Sequence, residues 1–229
     1  MSSFDLLTGR SASHLTSYQN HLLHKKVLPS LKKLQKLAAG AGFNLQLGSS
    51  YRSFEKQLDI WNNKATGKKA LLDSKGHALN FETLSKEEIV FSILRWSALP
   101  GASRHHWGSD FDIYDLNSVP SPDYKIQLTP EEVSPSGIMG LFHHWLDQQI
   151  AEKKSCGFYR PYQKDLGGVA PERWHISYAP LAGPMMEEYS YQIFLKNITL
   201  SNLANKELVL DHSLKIYCEY FANVAPPLF

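Results

Sequence analysis

Strand-like segments in this chain are few and far apart, and that distribution limits its fold more than any other feature. Phe43-Asn44-Leu45-Gln46-Leu47 alternates apolar and polar residues with period two. Phe111-Asp112-Ile113-Tyr114 and Trp174-His175-Ile176-Ser177-Tyr178 are also strand-like, the last closed by Pro180. Helical stripes fill much of the rest. Leu23, Val27, Leu31, Leu34 and Leu37 predict a helix stopped by Gly40 and Gly42, with Pro29 at a junction or first-turn position. Ser53 can cap a second helix carrying Leu58, Ile60 and Trp61. Ser85-Lys86-Glu87-Glu88 has capping-box spacing and opens a third, which Pro100-Gly101 ends. Residues 117–136 read as a long loop, Ser136 opens a helix that runs to a Gly157 stop, and Pro184 to Phe221 reads as a terminal helical layer. Helices at both ends with strands that do not alternate regularly with them predict an α+β fold rather than a parallel βαβ sheet.

No repeat, low-complexity tract or Pro/Gly/Ser-rich linker divides the chain, so one domain over residues 1–229 is expected. With 24 Lys and Arg against 22 Asp and Glu, the net charge of +2 offers no field for a polyanion, so no nucleic-acid partner is expected. No apolar run approaches the roughly 18 residues of a spanning helix, so no membrane insertion is expected. The start, Met1-Ser2-Ser3-Phe4-Asp5, lacks the basic and apolar parts of a secretory signal. A cytoplasmic location is therefore the expectation, with periplasmic or cell-wall action open if a leader is missing. Cys156 and Cys218 form neither a disulfide framework nor a Cys-x-x-Cys pair, and are expected to be buried thiols.

The chemistry concentrates in three short segments. In Ser103-Arg104-His105-His106-Trp107-Gly108-Ser109-Asp110-Phe111-Asp112, His105 and Asp112 are a nitrogen and an oxygen ligand of types zinc accepts, and Gly108 lets the chain turn so that both converge. In Pro171-Glu172-Arg173-Trp174-His175, His175 supplies a third ligand and Glu172 a base for water. The alternative is a surface Glu and a core His. Residues three apart on a straight strand face opposite sides, so Glu172 and His175 meet at one site only if the chain bends between them. In Ser49-Ser50-Tyr51-Arg52-Ser53, Arg52 sits at a strand-to-helix junction, where it can grip a carboxylate or stabilise an oxyanion.

Taken together, Ser103-x-His105-x-x-Gly108-x-x-x-Asp112 followed by Glu172-x-Trp174-His175 resembles the zinc D-alanyl-D-alanine carboxypeptidases of the VanY type. These belong to the LAS superfamily of peptidoglycan metallopeptidases and hedgehog-like domains. Ser50-Tyr51-Arg52-Ser53-x-x-x-Gln57 is similar to that family's Tyr-Arg-Ser segment. The resemblance covers about residues 43–180, leaving 181–229 as a helical C-terminal extension that packs or forms a lid. It implies a small antiparallel sheet carrying the site, flanked by helices, and one zinc ion held by His105, Asp112 and His175. It further implies Glu172 as general base and acid, Arg52 on the substrate carboxylate or oxyanion, and Ser103, Gln57 and Trp174 in the substrate pocket. The implied partner is a peptidoglycan stem peptide or muropeptide, and the implied enzyme a monomer.

One departure stands out, because the family usually has a small residue where this chain has Asp110, which either shifts the pocket's charge or points to solvent. His106 and the His143-His144 pair are expected to lie behind the ligands or on the surface. Three activities compete: cleavage of the terminal D-alanyl-D-alanine bond; LD-carboxypeptidase or L-alanyl-D-glutamate-type endopeptidase (lysin) action; and noncatalytic peptidoglycan binding by a zinc-containing module.

Overall fold

The computed structural model describes residues 3–227. Ten α-helices and two antiparallel sheets are found among the described residues, the α+β arrangement the sequence predicts. After α1 (Ser3–Leu7), the first sheet is a hairpin of β1 (Leu15–Tyr18) and β2 (His21–His24). The expected helical stripe from Leu23 is therefore wrong in its first turn. Pro29 explains the difference: it lacks an N–H and its ring opposes a preceding helical turn, so it fits the first turn of α2 (Leu28–Gly40), and Leu23 is buried from a strand instead.

The second sheet has the order β3 (Leu45–Ser49), β4 (Asp110–Asp115), β6 (His175–Tyr178), β5 (Phe158–Tyr159), all antiparallel. Its two central strands alternate cleanly. Phe111, Ile113 and Ile176 point into a core that they share with Leu31, Leu34 and Ala38 of α2 and with Phe142 and Leu146 of α6 (Gly140–Ala151). The opposite face carries Asp110, Asp112, His175 and Ser177, because side chains two apart on a strand, or directly opposite across a pair, share a face. One set of alternations thus anchors the sheet and presents a polar platform.

A second core lies among Trp61 of α3 (Phe54–Ala65), Val90, Ile93 and Leu94 of α4 (Lys86–Trp96), and Phe194 and Ile198 of α8 (Tyr191–Leu200). α3 and α4 begin at Ser53 and Ser85 as the sequence implies, the latter with both hydrogen bonds of a capping box. The expected loop over 117–136 contains a short helix, α5 (Pro130–Val133), capped by Thr129 and Glu132, and Ser136 precedes α6 by a further turn. α7 (Ala179–Glu188) follows β6 directly, and α9 (Lys206–Asp211) and α10 (Ser213–Ile216) complete the terminal layer, which packs into the second core. The cysteines differ from expectation: Cys156 is half-buried at the margin of the first core, and Cys218 is exposed. No helix of the described residues is long and apolar enough to cross a membrane.

Candidate metal and peptidase site

Gly108 ends a short 3-10 turn over Arg104–Trp107 in the left-handed region, at φ +67°. A Cβ there would lie 2.6 Å from Leu15 Cδ2 and 2.8 Å from the His24 backbone nitrogen, so only glycine allows the chain to pass beneath the β1–β2 hairpin and start β4. His105 lies on that turn and Asp112 on β4. The His105 ring donates from Nδ1 to the Ser50 carbonyl, 2.9 Å away, and this fixes Nε2 as the nitrogen facing Asp112 Oδ2 at 3.5 Å.

Asp112 is directly opposite His175 in the β4–β6 register. The bend required between Glu172 and His175 is present: the His175 amide donates to the Glu172 carbonyl at 3.1 Å, a turn that ends where β6 begins. Glu172 Oε2 thereby comes within 3.6 Å of His175 Nδ1, which is 3.4 Å from Asp112 Oδ1. His105, Asp112 and His175 offer ligand atoms that lie within 4.8 Å of one another, and all three residues are buried. Asp112 Oδ1 and His175 Nδ1 have no hydrogen-bond partner among the described residues. Buried polar atoms without partners are costly, so two orphaned donor atoms aimed at one point fit a cation. One carboxylate and two imidazoles are a donor set suited to zinc.

Charge at this cluster is strongly shaped by burial and neighbours. Burial opposes ionisation of Asp112, but His105 and His175 hold its carboxyl well below the ordinary carboxylate range. Burial lowers the His105 pKa. His175 is also desolvated, yet its hydrogen bond to Asp110 and the adjacent Asp112 charge raise it to about 9, so a metal ion entering the cluster displaces a proton. Glu172 is pushed up to about 7 by burial and by the Asp112 charge, against the pull of His175, Arg52 and Lys64. A carboxylate balanced near neutrality is suited to both accept and return a proton.

The cluster lines a cleft of about 320 Å³ together with Arg52, Lys64, Ser103, Tyr162, Glu172 and Trp174. Arg52 is held from behind, donating to Gln57 Oε1 at 2.9 Å and Ser49 Oγ at 3.3 Å. Gln57 does not line the cleft: it is fully buried, donates to the Ala98 carbonyl at 2.7 Å, and serves as a support for Arg52. His106 is buried rather than superficial, donating from Nδ1 to the Arg52 carbonyl at 2.6 Å and accepting from the Gly101 amide at 3.0 Å. It therefore ties the Arg52 backbone to the ligand-bearing turn. His143 is buried beside Arg160, whereas His144 is exposed. Among the described residues none after His175 lines the cleft, and the terminal helices pack into the second core instead.

Asp110 points inward, not to solvent, and is 0% exposed. It accepts from Arg104 Nε at 2.8 Å, from Ser109 Oγ at 2.6 Å and from His175 Nε2 at 3.1 Å. Burial acts against its ionisation, but Arg104 outweighs this and lowers it to about 2. An ionised carboxylate only accepts, so a proton is held on His175 Nε2, and Nδ1, which faces Asp112, is the nitrogen that gives up its proton to a metal ion. The sequence marks Asp110 as unusual but carries no signal of this contact, which is made across a strand pairing.

A family model described as "VanY: D-alanyl-D-alanine carboxypeptidase" matches residues 20–181, and the chain belongs to this family. An uncharacterised protein of Haemophilus influenzae is 42% identical over 100 residues, covering 42% of this chain and 68% of that protein. Among solved structures, VanYB in complex with D-alanine-D-alanine has a TM-score of 0.51 at 21% identity, covering 80% of this chain and 87% of that one. A mutant of the vancomycin-resistance D,D-pentapeptidase VanY in complex with Zn(II) has a TM-score of 0.50 at 22% identity, covering 76% and 86%. At these identities the likeness is one of fold.

Proposed function

We propose that the chain is a zinc-dependent carboxypeptidase that hydrolyses the terminal D-alanyl-D-alanine bond of peptidoglycan stem peptides. The observation that carries this reading is the convergence of His105, Asp112 and His175, with Glu172 Oε2 3.6 Å from His175 and Arg52 lining the same cleft. His105, Asp112 and His175 would hold the ion, which supplies Lewis-acid polarisation of the scissile carbonyl and eases ionisation of water. Glu172 accepts the proton of the attacking water and returns it to the leaving amine as the carbon–nitrogen bond breaks, so it ends the cycle unchanged. Arg52, braced by Gln57 and Ser49, receives the terminal carboxylate in a bidentate pair and sets the cut one residue from the end. Ser103 and Trp174 line the wall along which the peptide lies. Tyr162, its ring 5.0 Å from that of His175, narrows access of bulk water to the reacting atoms.

Defined tetra-, penta- and cross-linked stem peptides, with products weighed by mass, test the specificity. The expected result is loss of one D-alanine from pentapeptide only. Release from tetrapeptide would assign LD-cleavage, an internal cut would assign an endopeptidase, and binding without turnover would assign a noncatalytic module.

A further inference from the structure

Lys64 is a cleft cation that the proposed reaction leaves without a task. It stands on α3 seven residues after Gln57, hence on the same side of the helix. Its side chain reaches the cleft, where Nζ donates to Ser97 Oγ at 2.6 Å. Among the described residues no carboxylate pairs with it. The other cations of the cleft are accounted for: Arg104 is paired with Asp110, and Arg52 is braced by Gln57 and Ser49 for the terminal carboxylate. Burial lowers the Lys64 pKa, as does the field of Lys69 and Arg52, with Glu172 opposing. A half-buried ammonium with only a hydroxyl for company is a poor final state and a ready partner for an anion.

Arg52 and Lys64 line the same cleft, and the terminal carboxylate occupies only the first of them, so the cleft retains a basic side chain, bonded to Ser97 alone, for a second substrate anion. Resting on the peptidase reading above, we propose that Lys64 is a second anion anchor, which binds a side-chain carboxylate on the residue preceding the terminal D-alanyl-D-alanine while Arg52 holds the terminal carboxylate. The preferred substrates are thus dicarboxylate peptides, whose third residue is acidic rather than amidated.

Two peptides that differ only in that side chain, carboxylate against carboxamide, test the assignment, each also made with a C-terminal amide. Binding is read by calorimetry on the full zinc-loaded chain and turnover by mass in the same samples. The carboxylate peptide is expected to bind about tenfold more tightly than its carboxamide twin, the size of one charge-assisted contact. Lys64→Met, which keeps the apolar stem, should erase that preference, whereas Lys64→Arg should retain it. Equal affinity of the twins, absence of binding by both, or a Lys64→Met loss that follows the terminal carboxylate instead, overturns the proposal. A carboxylate preference without turnover leaves the anchor standing and removes the peptidase reading; turnover without the preference does the reverse.

Discussion

Replacing Glu172 by glutamine is expected to lower kcat by about 10²–10⁴, the usual worth of a positioned general base, while zinc stays bound. The residue approaches the ligand cluster through a single oxygen at 3.6 Å from His175 and is not one of the three converging ligands. The pH profile supplies an independent readout. Burial lifts Glu172 to about 7, and the base must be ionised, so kcat/KM should fall with decreasing pH along a limb that begins near that value. Seven is an upper bound for the limb, because a neighbouring dication favours the carboxylate. In Glu172→Gln the limb should vanish along with the rate. Full activity in that variant, with zinc retained, would remove Glu172 from the mechanism.

The second large effect is expected at Asp110. Asp110→Ala strands the Arg104 guanidinium, 3% exposed, without its counter-ion, and breaking a buried pair from one side costs about 3–5 kcal/mol. Chemical denaturation of the metal-free protein measures this. The double variant Asp110→Ala/Arg104→Met removes both charges and should recover much of the lost stability. It should not recover metal binding, because His175 still lacks the acceptor that fixes its ring and tautomer. Loss of such a supporting carboxylate typically weakens metal affinity about 10–100-fold, which competition with a chromophoric chelator detects. Wild-type zinc affinity in the double variant would show that Asp110 serves only to pair with Arg104.

Local chemistry in this chain is legible before the fold is known, whereas contacts across the sheet are not. His105, Asp112, Glu172 and His175 stand out because their types and spacing repeat a family pattern, and Gly108 because a ligand-bearing turn needs it. What brings Asp112 and His175 side by side is strand register, which depends on pairing across 63 residues of chain and has no local signature. Asp110 shows the limit best: it is visible as a departure from pattern, but the sequence alone leaves both solvent and the pocket open to it. Lys64 lies near the end of a helix, where a lysine ordinarily extends into water, and only its helical spacing from Gln57 places it on the cleft side. The error at Leu23 has a different origin. A stripe of leucines fits a strand entering a turn as well as a helix over so few residues, and Pro29 is the stronger signal of where the helix starts.

The central claim is that His105, Asp112 and His175 form one metal site, and zinc stoichiometry of wild type and His175→Ala tests it most directly. One zinc ion per chain is expected in wild type. In His175→Ala, which keeps Asp112 and His105 but loses the Nδ1 donor, the ion should be lost on dialysis against a chelator that the wild type withstands. Wild type without zinc, or a His175→Ala protein that retains the ion equally well, would contradict the account.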